Sequence, residues 1–180
     1  EMCIRDRLLP TAAHASGGPD VYGYEWQSTS FDPVTLDSSA TTASFSSGVD
    51  TVPLPFTFRF YGYNHTSVRV RTDGSLSFRS VTIPSQPYCV PDNRSTAPDI
   101  LAYHGPLTGG TVRYAAVESN SRFVIAWEIV THAAGGLGIT FQIHLLSDNS
   151  IEFHYVDTDH NEPSLDEGAA VAAGIQEATY

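Results

Sequence analysis

The chain has 180 residues, enough for one β domain with a sizeable core, and 41% of them are apolar, which excludes wholesale disorder. Its formal charge is −11, and it contains no lysine; all 9 basic residues are arginines. That balance argues against a nucleic-acid backbone or an anionic lipid surface as partner, and suits an exported or cation-binding protein.

The first residues read as foreign to the fold. Met2–Arg7 (MCIRDR) looks like translated sequencing adapter. Leu8 and Leu9 then resemble the stub of an apolar region, and Ala13-His14-Ala15 fits the small-x-small rule for signal-peptide cleavage. Residues 1–15 are therefore expected to be an adapter-like artefact plus a signal-peptide remnant, with an Ala/Ser/Gly-rich linker as the alternative. Both readings favour export to a secreted or cell-surface location. No run of 18 or more apolar residues is present, so no membrane span is expected.

From residue 16 on, helical periodicity is nearly absent. Short alternating runs are separated by Gly, Pro, Asn, Asp and Ser clusters. Strands are expected near Tyr22–Trp26, Thr41–Phe45, Phe56–Phe60, Ser67–Arg71, Ser75–Phe78, Ile100–Tyr103, Thr111–Val117, Arg122–Val130, Ile139–Leu146, Ser150–Tyr155 and Ala170–Gln176. That number of strands points to an all-β, antiparallel two-sheet β-sandwich, jelly-roll-like, forming a single domain over 16–180. The last expected strand stops without a closing loop, which reads as truncation.

Register follows from keeping apolar side chains on one face. Leu54, Phe56, Phe58 and Phe60 share a face, with Thr57 and Arg59 opposite, and YGYNHT reads as the following turn. A three-residue Thr72-Asp73-Gly74 loop pairs Val70 with Leu76, whereas a two-residue loop would pair Val70 with Ser77. The longer loop needs a left-handed residue, which Gly74 supplies. On this reading Asp73→Gly matters little and Gly74→Val costs about 1–2 kcal/mol.

Arg122–Val130 (RFVIAWEIV) is apolar on both parities, with Phe123, Ile125, Trp127 and Ile129 on one and Val124, Ala126 and Val130 on the other. It should be a central strand, with Trp127 as core anchor. Phe141, Ile143 and Leu145 must share a face with Ile151, Phe153 and Tyr155. This calls for an odd-length loop with Asn149 left-handed. That reading places His144 directly opposite His154 on an outer, solvent-facing surface, with Glu152 nearby.

Candidate chemistry is sparse. The chain has no Gly-x-Ser-x-Gly elbow, no His-Glu-x-x-His, no phosphate-binding glycine loop and no Cys-x-x-Cys, so it reads as non-enzymatic. In VDTDHNEPSLDEG the alternating Asp157, Asp159 and Asn161 offer hard oxygens, and calcium is the ion such a pattern suits. Glu162 stands where an EF-hand loop needs Gly and Gly168 where it needs Glu, which excludes a true EF-hand. The alternative is a solvated acidic loop. His144, Glu152 and His154 are a cross-strand candidate for zinc or copper, weighed against ordinary exposed polar positions. Tyr22, Tyr24, Tyr61 and Tyr63 could stack on sugar rings or pack at sheet ends. Asn64-His65-Thr66 and Asn93-Arg94-Ser95 are glycosylation sequons and mark surface loops. With Cys3 in the foreign stretch, Cys89 has no credible partner.

Several segments together resemble a known family. PLPFTFRFYGYNHTSVRVRTDGSLSF is similar to the PFxFxFYG...VxVSSNGxLxF signature of bacterial secreted β-sandwich modules, related to nidogen-type and plexin-domain-containing ectodomains. CVPDNRSTAPDILAY, GGTVRYAAVESNSRFVIAWEIVTH, GITFQIHLLSDNSIEFHYVD and GAAVAAGIQEATY resemble its later segments in order. The resemblance covers about residues 20–180. It departs at Tyr103-His104-Gly105-Pro106-Leu107, where relatives commonly carry Trp-Asp-Asp-Leu. The resemblance implies a non-catalytic adhesion or partner-binding module of a larger exported bacterial protein, presenting loops to a protein or carbohydrate surface. The alternatives are a substrate-targeting accessory domain of a secreted protease or glycosidase, and a structural spacer.

Overall fold

The computed structural model describes residues 16–80, 98–166 and 169–177. Cys3, Cys89, the Asn93 sequon and the expected cleavage site lie outside them. The described residues form an all-β sandwich in which every strand pairing is antiparallel. The strands are β1 Ser16–Gly17, β2 Trp26–Gln27, β3 Thr41–Thr42, β4 Val49–Phe60, β5 Tyr63–Arg71, β6 Ser75–Ser77, β7 Asp99–His104, β8 Leu107–Thr108, β9 Thr111–Val117, β10 Arg122–His132, β11 Gly135–Leu146, β12 Ile151–Asp157 and β13 Ala172–Gln176.

Of the two large sheets, one has the order β12-β11-β10-β9-β3, with β8 also pairing with β10, and the other has the order β13-β7-β6-β5-β4; β1 and β2 form a separate two-stranded ribbon. Each is a meander for most of its width, β9 to β12 in one and β4 to β7 in the other. The expected jelly-roll crossing between layers is confined to the ends, where β3 and β13 join sheets away from their chain neighbours.

The inner faces build one core. Phe58, Phe60, Val68, Val70, Leu76, Ile100 and Tyr103 from one layer meet Phe123, Ile125, Trp127, Phe141, Ile143 and Leu145 from the other. Trp127 is fully buried, stacks on Phe141 at 5.0 Å with an interplanar angle of 8°, and donates its indole N–H to the Arg71 carbonyl at 2.9 Å. That bond satisfies the one polar atom of the largest core side chain and ties the two sheets together.

Both expected hairpin loops form. Val70 pairs with Leu76 and Gly74 has φ +80°. Leu145 pairs with Ile151 across Ser147–Asn149, and Asn149 has φ +73°. His144 is opposite Glu152, however, not His154, and His154 faces Gln142. The register that aligns Leu145 with Ile151 fixes this, since a shift of two keeps the faces but changes the partners.

Three other expectations are corrected. Ile129 is not in the core: a bulge between Trp127 and Val130 turns it outward, 70% exposed with φ +54°, and brings Val130 in. The YGYNHT turn shrinks to Tyr61-Gly62, because Tyr63–Thr66 continue the ladder. Tyr22 is in a turn instead of a strand: the Asp20 carboxylate accepts the backbone N–H groups of Tyr22 and Tyr24 at 2.8 and 2.9 Å and so withdraws both donors from any ladder.

The outer face of the β9–β12 sheet is also not open to solvent. The extended segment 31–37 crosses it, and Leu36 buries against Val124 and Ala126. This strap explains why β10 is apolar on both faces, as its sequence required.

Candidate functional site

Under the strap, β10, β11 and β12 gather Arg122, Gln142, His144, Glu152 and His154. The alternation that sends Ile143 and Phe153 into the core sends these polar neighbours to the opposite face. His144 is fully buried and His154 nearly so, with ring centroids 4.4 Å apart. His144 donates from Nε2 to Gln142 Oε1 at 2.8 Å, and its Nδ1 accepts from Arg122 Nη1 at 3.3 Å. His154 donates from Nε2 to Glu152 Oε2 at 3.1 Å, and its Nδ1 accepts the Asp32 backbone N–H at 3.4 Å. Burial, then the nearby His154 and Arg122 charges, pulls the His144 pKa down to about 4. Burial acts to raise the Glu152 pKa, but the His154 hydrogen bond and the Arg122 charge hold it below the usual carboxylate value.

His144, Glu152 and His154 each offer an atom within 4.8 Å of the other two. Among the described residues no other His/Cys/Asp/Glu group of three converges this closely. The donor set nevertheless does not fit a metal ion as it stands. Arg122 Nη1 supplies the local positive charge, 3.3 Å from His144 Nδ1 and 3.6 Å from Glu152 Oε2. The His154 nitrogen that faces Glu152 is the one carrying its proton. A zinc or copper ion would have to expel the guanidinium and reverse the His154 tautomer.

The acidic loop after β12 places Asp157, Asp159 and Asn161 in succession. Asp157 Oδ1 accepts the Asp159 backbone N–H at 3.0 Å, and Asp159 Oδ1 accepts that of Asn161 at 2.6 Å. Asp166 Oδ1 accepts from the backbone of His160 and Glu162. His160, buried within this loop, donates from Nδ1 to the Leu137 carbonyl at 2.9 Å and accepts from the Tyr103 hydroxyl at Nε2, 3.3 Å. His160 fastens the loop to β11, a role that single-chain pattern did not mark.

At the point where the sequence departs from the signature it resembles, Tyr103 and His104 are interior. His104 Nδ1 lies 3.8 Å from Asp73 Oδ1. Asp73 also accepts from Arg71 Nε at 3.0 Å and from the Ser75 hydroxyl and N–H. The turn carboxylate is thus a partly buried junction of several hydrogen bonds, which argues against the expectation that Asp73→Gly matters little.

Three loops meet at one end of the sandwich around a cleft of about 310 Å³. Tyr22 and Tyr24 come from the Asp20 turn, Arg59 and Tyr61 from the β4–β5 hairpin, and Asn149 from the β11–β12 turn. Tyr61 packs edge-on to Tyr22 at 5.1 Å and against Tyr24 at 4.8 Å. The Tyr61 N–H donates to the Tyr24 hydroxyl at 3.1 Å, and the Arg59 N–H donates to Asn149 Oδ1 at 2.7 Å. Burial, reinforced by the Asp20 carboxylate, pushes the Tyr61 pKa up, so its hydroxyl keeps its proton. Of the four tyrosines singled out in the sequence, Tyr22, Tyr24 and Tyr61 assemble here. Tyr63 is outside the cleft, beneath the Arg79 guanidinium at 5.4 Å.

No helix among the described residues is long and apolar enough to cross a membrane. No curated protein and no solved structure matches the chain. A family model described as NIDO related matches residues 21–180, which spans both sheets, the strap and the cleft, and on that match the chain belongs to the NIDO-related family.

Proposed function

We propose that the chain is a non-catalytic extracellular module of a larger exported bacterial protein, binding a protein or carbohydrate surface through its loops. The observation that carries this reading is the convergence of three loops, from both layers, on one cleft held by a rigid two-sheet frame. Membership of the NIDO-related family supports an extracellular setting. A non-catalytic role is supported by what the histidines do: His144, His154 and His160 each spend both ring nitrogens on internal hydrogen bonds.

Beads coated with the chain are expected to be retained on insoluble extracellular matrix, polysaccharide or protein, well above beads coated with an unrelated β-sandwich of similar charge. Equal retention would leave the chain as a spacer and remove the binding role. Turnover of the matrix by the purified chain would replace the module with an enzyme.

A further inference from the structure

We infer that the cleft between Tyr22, Arg59 and Asn149 is a saccharide-binding site, taking one ring of a neutral sugar chain; this deepens, and rests on, the binding-module reading above. A pyranose has a C–H face that packs on an aromatic ring and an edge of hydroxyls that must be hydrogen-bonded. The cleft offers both. Tyr22 is about half exposed and is braced edge-on by Tyr61, so its ring is presented without being free to collapse. Beside it lie the Asn149 amide and the Arg59 guanidinium, on an exposed residue with no ion pair among the described residues. Tyr24 accepts the Tyr61 N–H and still has its own hydroxyl proton to donate.

The site is built before any ligand arrives. Asp20 caps the N–H groups of Tyr22 and Tyr24, and the Arg59–Asn149 bond joins the edge of one sheet to a turn of the other. Preorganisation of this kind removes part of the entropy cost of binding. One lining residue, Tyr61 at φ +44°, holds left-handed backbone that an aromatic side chain seldom adopts, and such strain gathers where geometry is under functional constraint. The volume is at the small end for ligand pockets, which suits one sugar ring with its neighbours running into solvent. The Asp20 carboxylate and the Arg59 guanidinium act in opposite senses on the Tyr24 hydroxyl, so the charge around the cleft is mixed and favours a neutral saccharide over a uronate.

The test is affinity electrophoresis of the full chain through gels containing laminarin, mannan, xylan or polygalacturonate. Retardation is expected in at least one neutral polysaccharide. Tyr22→Ala and Arg59→Ala, both at exposed positions, should each weaken it tenfold or more while leaving the melting temperature unchanged. Tyr63→Ala, which removes an exposed tyrosine outside the cleft, should retain it. Absence of retardation in all three neutral gels overturns the inference, as does retardation only by polygalacturonate. Retardation that survives both Tyr22→Ala and Arg59→Ala also overturns the cleft assignment while the module reading stands; loss of bead retention on every matrix would instead sink the module itself.

Discussion

Gln142 and Val34 exchange two hydrogen bonds: the Gln142 amide N–H donates to the Val34 carbonyl at 2.7 Å, and the Val34 N–H donates to the Gln142 amide oxygen at 3.0 Å. A side chain on β11 thereby does for the strap what a neighbouring strand would do. The same Gln142 oxygen orients His144. Arg113 secures the next turn of the strap by donating to the carbonyls of Leu36 and Asp37. Gln142→Ala is expected to cost about 2–3 kcal/mol, because it unpairs two strap groups and a buried imidazole at once. Urea denaturation checks the magnitude, and hydrogen exchange should show earlier loss of protection at Val34 than in β4 or β5.

Acid should release the same region. The folded-state pKa of His144, about 4, is depressed from an unfolded value near ~6.5, so the unfolded chain takes up the proton first. The stabilising contribution is present above pH ~6.5 and is lost progressively as pH falls towards 4. Glu152, also depressed, loses its contribution further down, in the same direction. The groups facing His144 are Arg122 from β10 and Glu152 and His154 from β12, and Arg122 is in turn paired with Asp32 of the strap and with Glu118. The expected outcome is a melting temperature that falls between pH 6.5 and 4 by more in wild type than in His144→Gln. Parallel profiles would assign the acid sensitivity to other groups.

What the sequence revealed divides along a physical line. Local alternation set the inner faces and the Val70–Leu76 register correctly, because one-residue slips would expose Phe58 or Ile143, but it left the β11–β12 pairing two residues out, since such a shift keeps every side chain on its face. It could not reveal the strap, whose contacts join Val34 to Gln142 across 108 residues. With that contact unseen, His144 and His154 read as solvent-facing polar positions. The outward turn of Ile129 was equally hidden: its cause is a bulge, with Gly110 and Gly138 leaving room for the displaced backbone. Three cleft tyrosines were visible as residues, but only the fold brings Tyr22 to Tyr61.

The Thr72–Gly74 turn should be far less tolerant than its pattern implies. A Cβ on Gly74 would meet the Tyr103 carbonyl carbon at 2.9 Å and the Phe141 ring at 3.1 Å, in addition to the strain of φ +80°. Gly74→Val is therefore expected to cost on the order of 4 kcal/mol or more, beyond strain alone. Asp73→Asn keeps the shape and removes the charge facing His104 and Arg71, and should cost about 1–3 kcal/mol. Chemical denaturation of both variants checks the order; equal, small losses would mean that Tyr103 moves aside.

The acidic loop gives calcium a direct test. One oxygen each of Asp157 and Asp159 is spent on a backbone N–H, and Asn161 ends the alternating series. Ca²⁺ needs six or more oxygens, so an ion here would have to recruit the remaining carboxylate oxygens together with carbonyls or water. Binding to the native state alone must raise stability by RT ln(1 + [L]/Kd), about 2.7 kcal/mol at a hundredfold excess over Kd. A calcium ion held by Asp157, Asp159 and Asn161 is thus expected to raise the melting temperature in millimolar Ca²⁺ relative to chelator. The rise should vanish in Asp159→Asn and leave Asp166→Asn responsive. Coincident melts with and without chelator would leave the carboxylates with backbone capping alone, which suffices to fold a loop that His160 already fastens to Leu137.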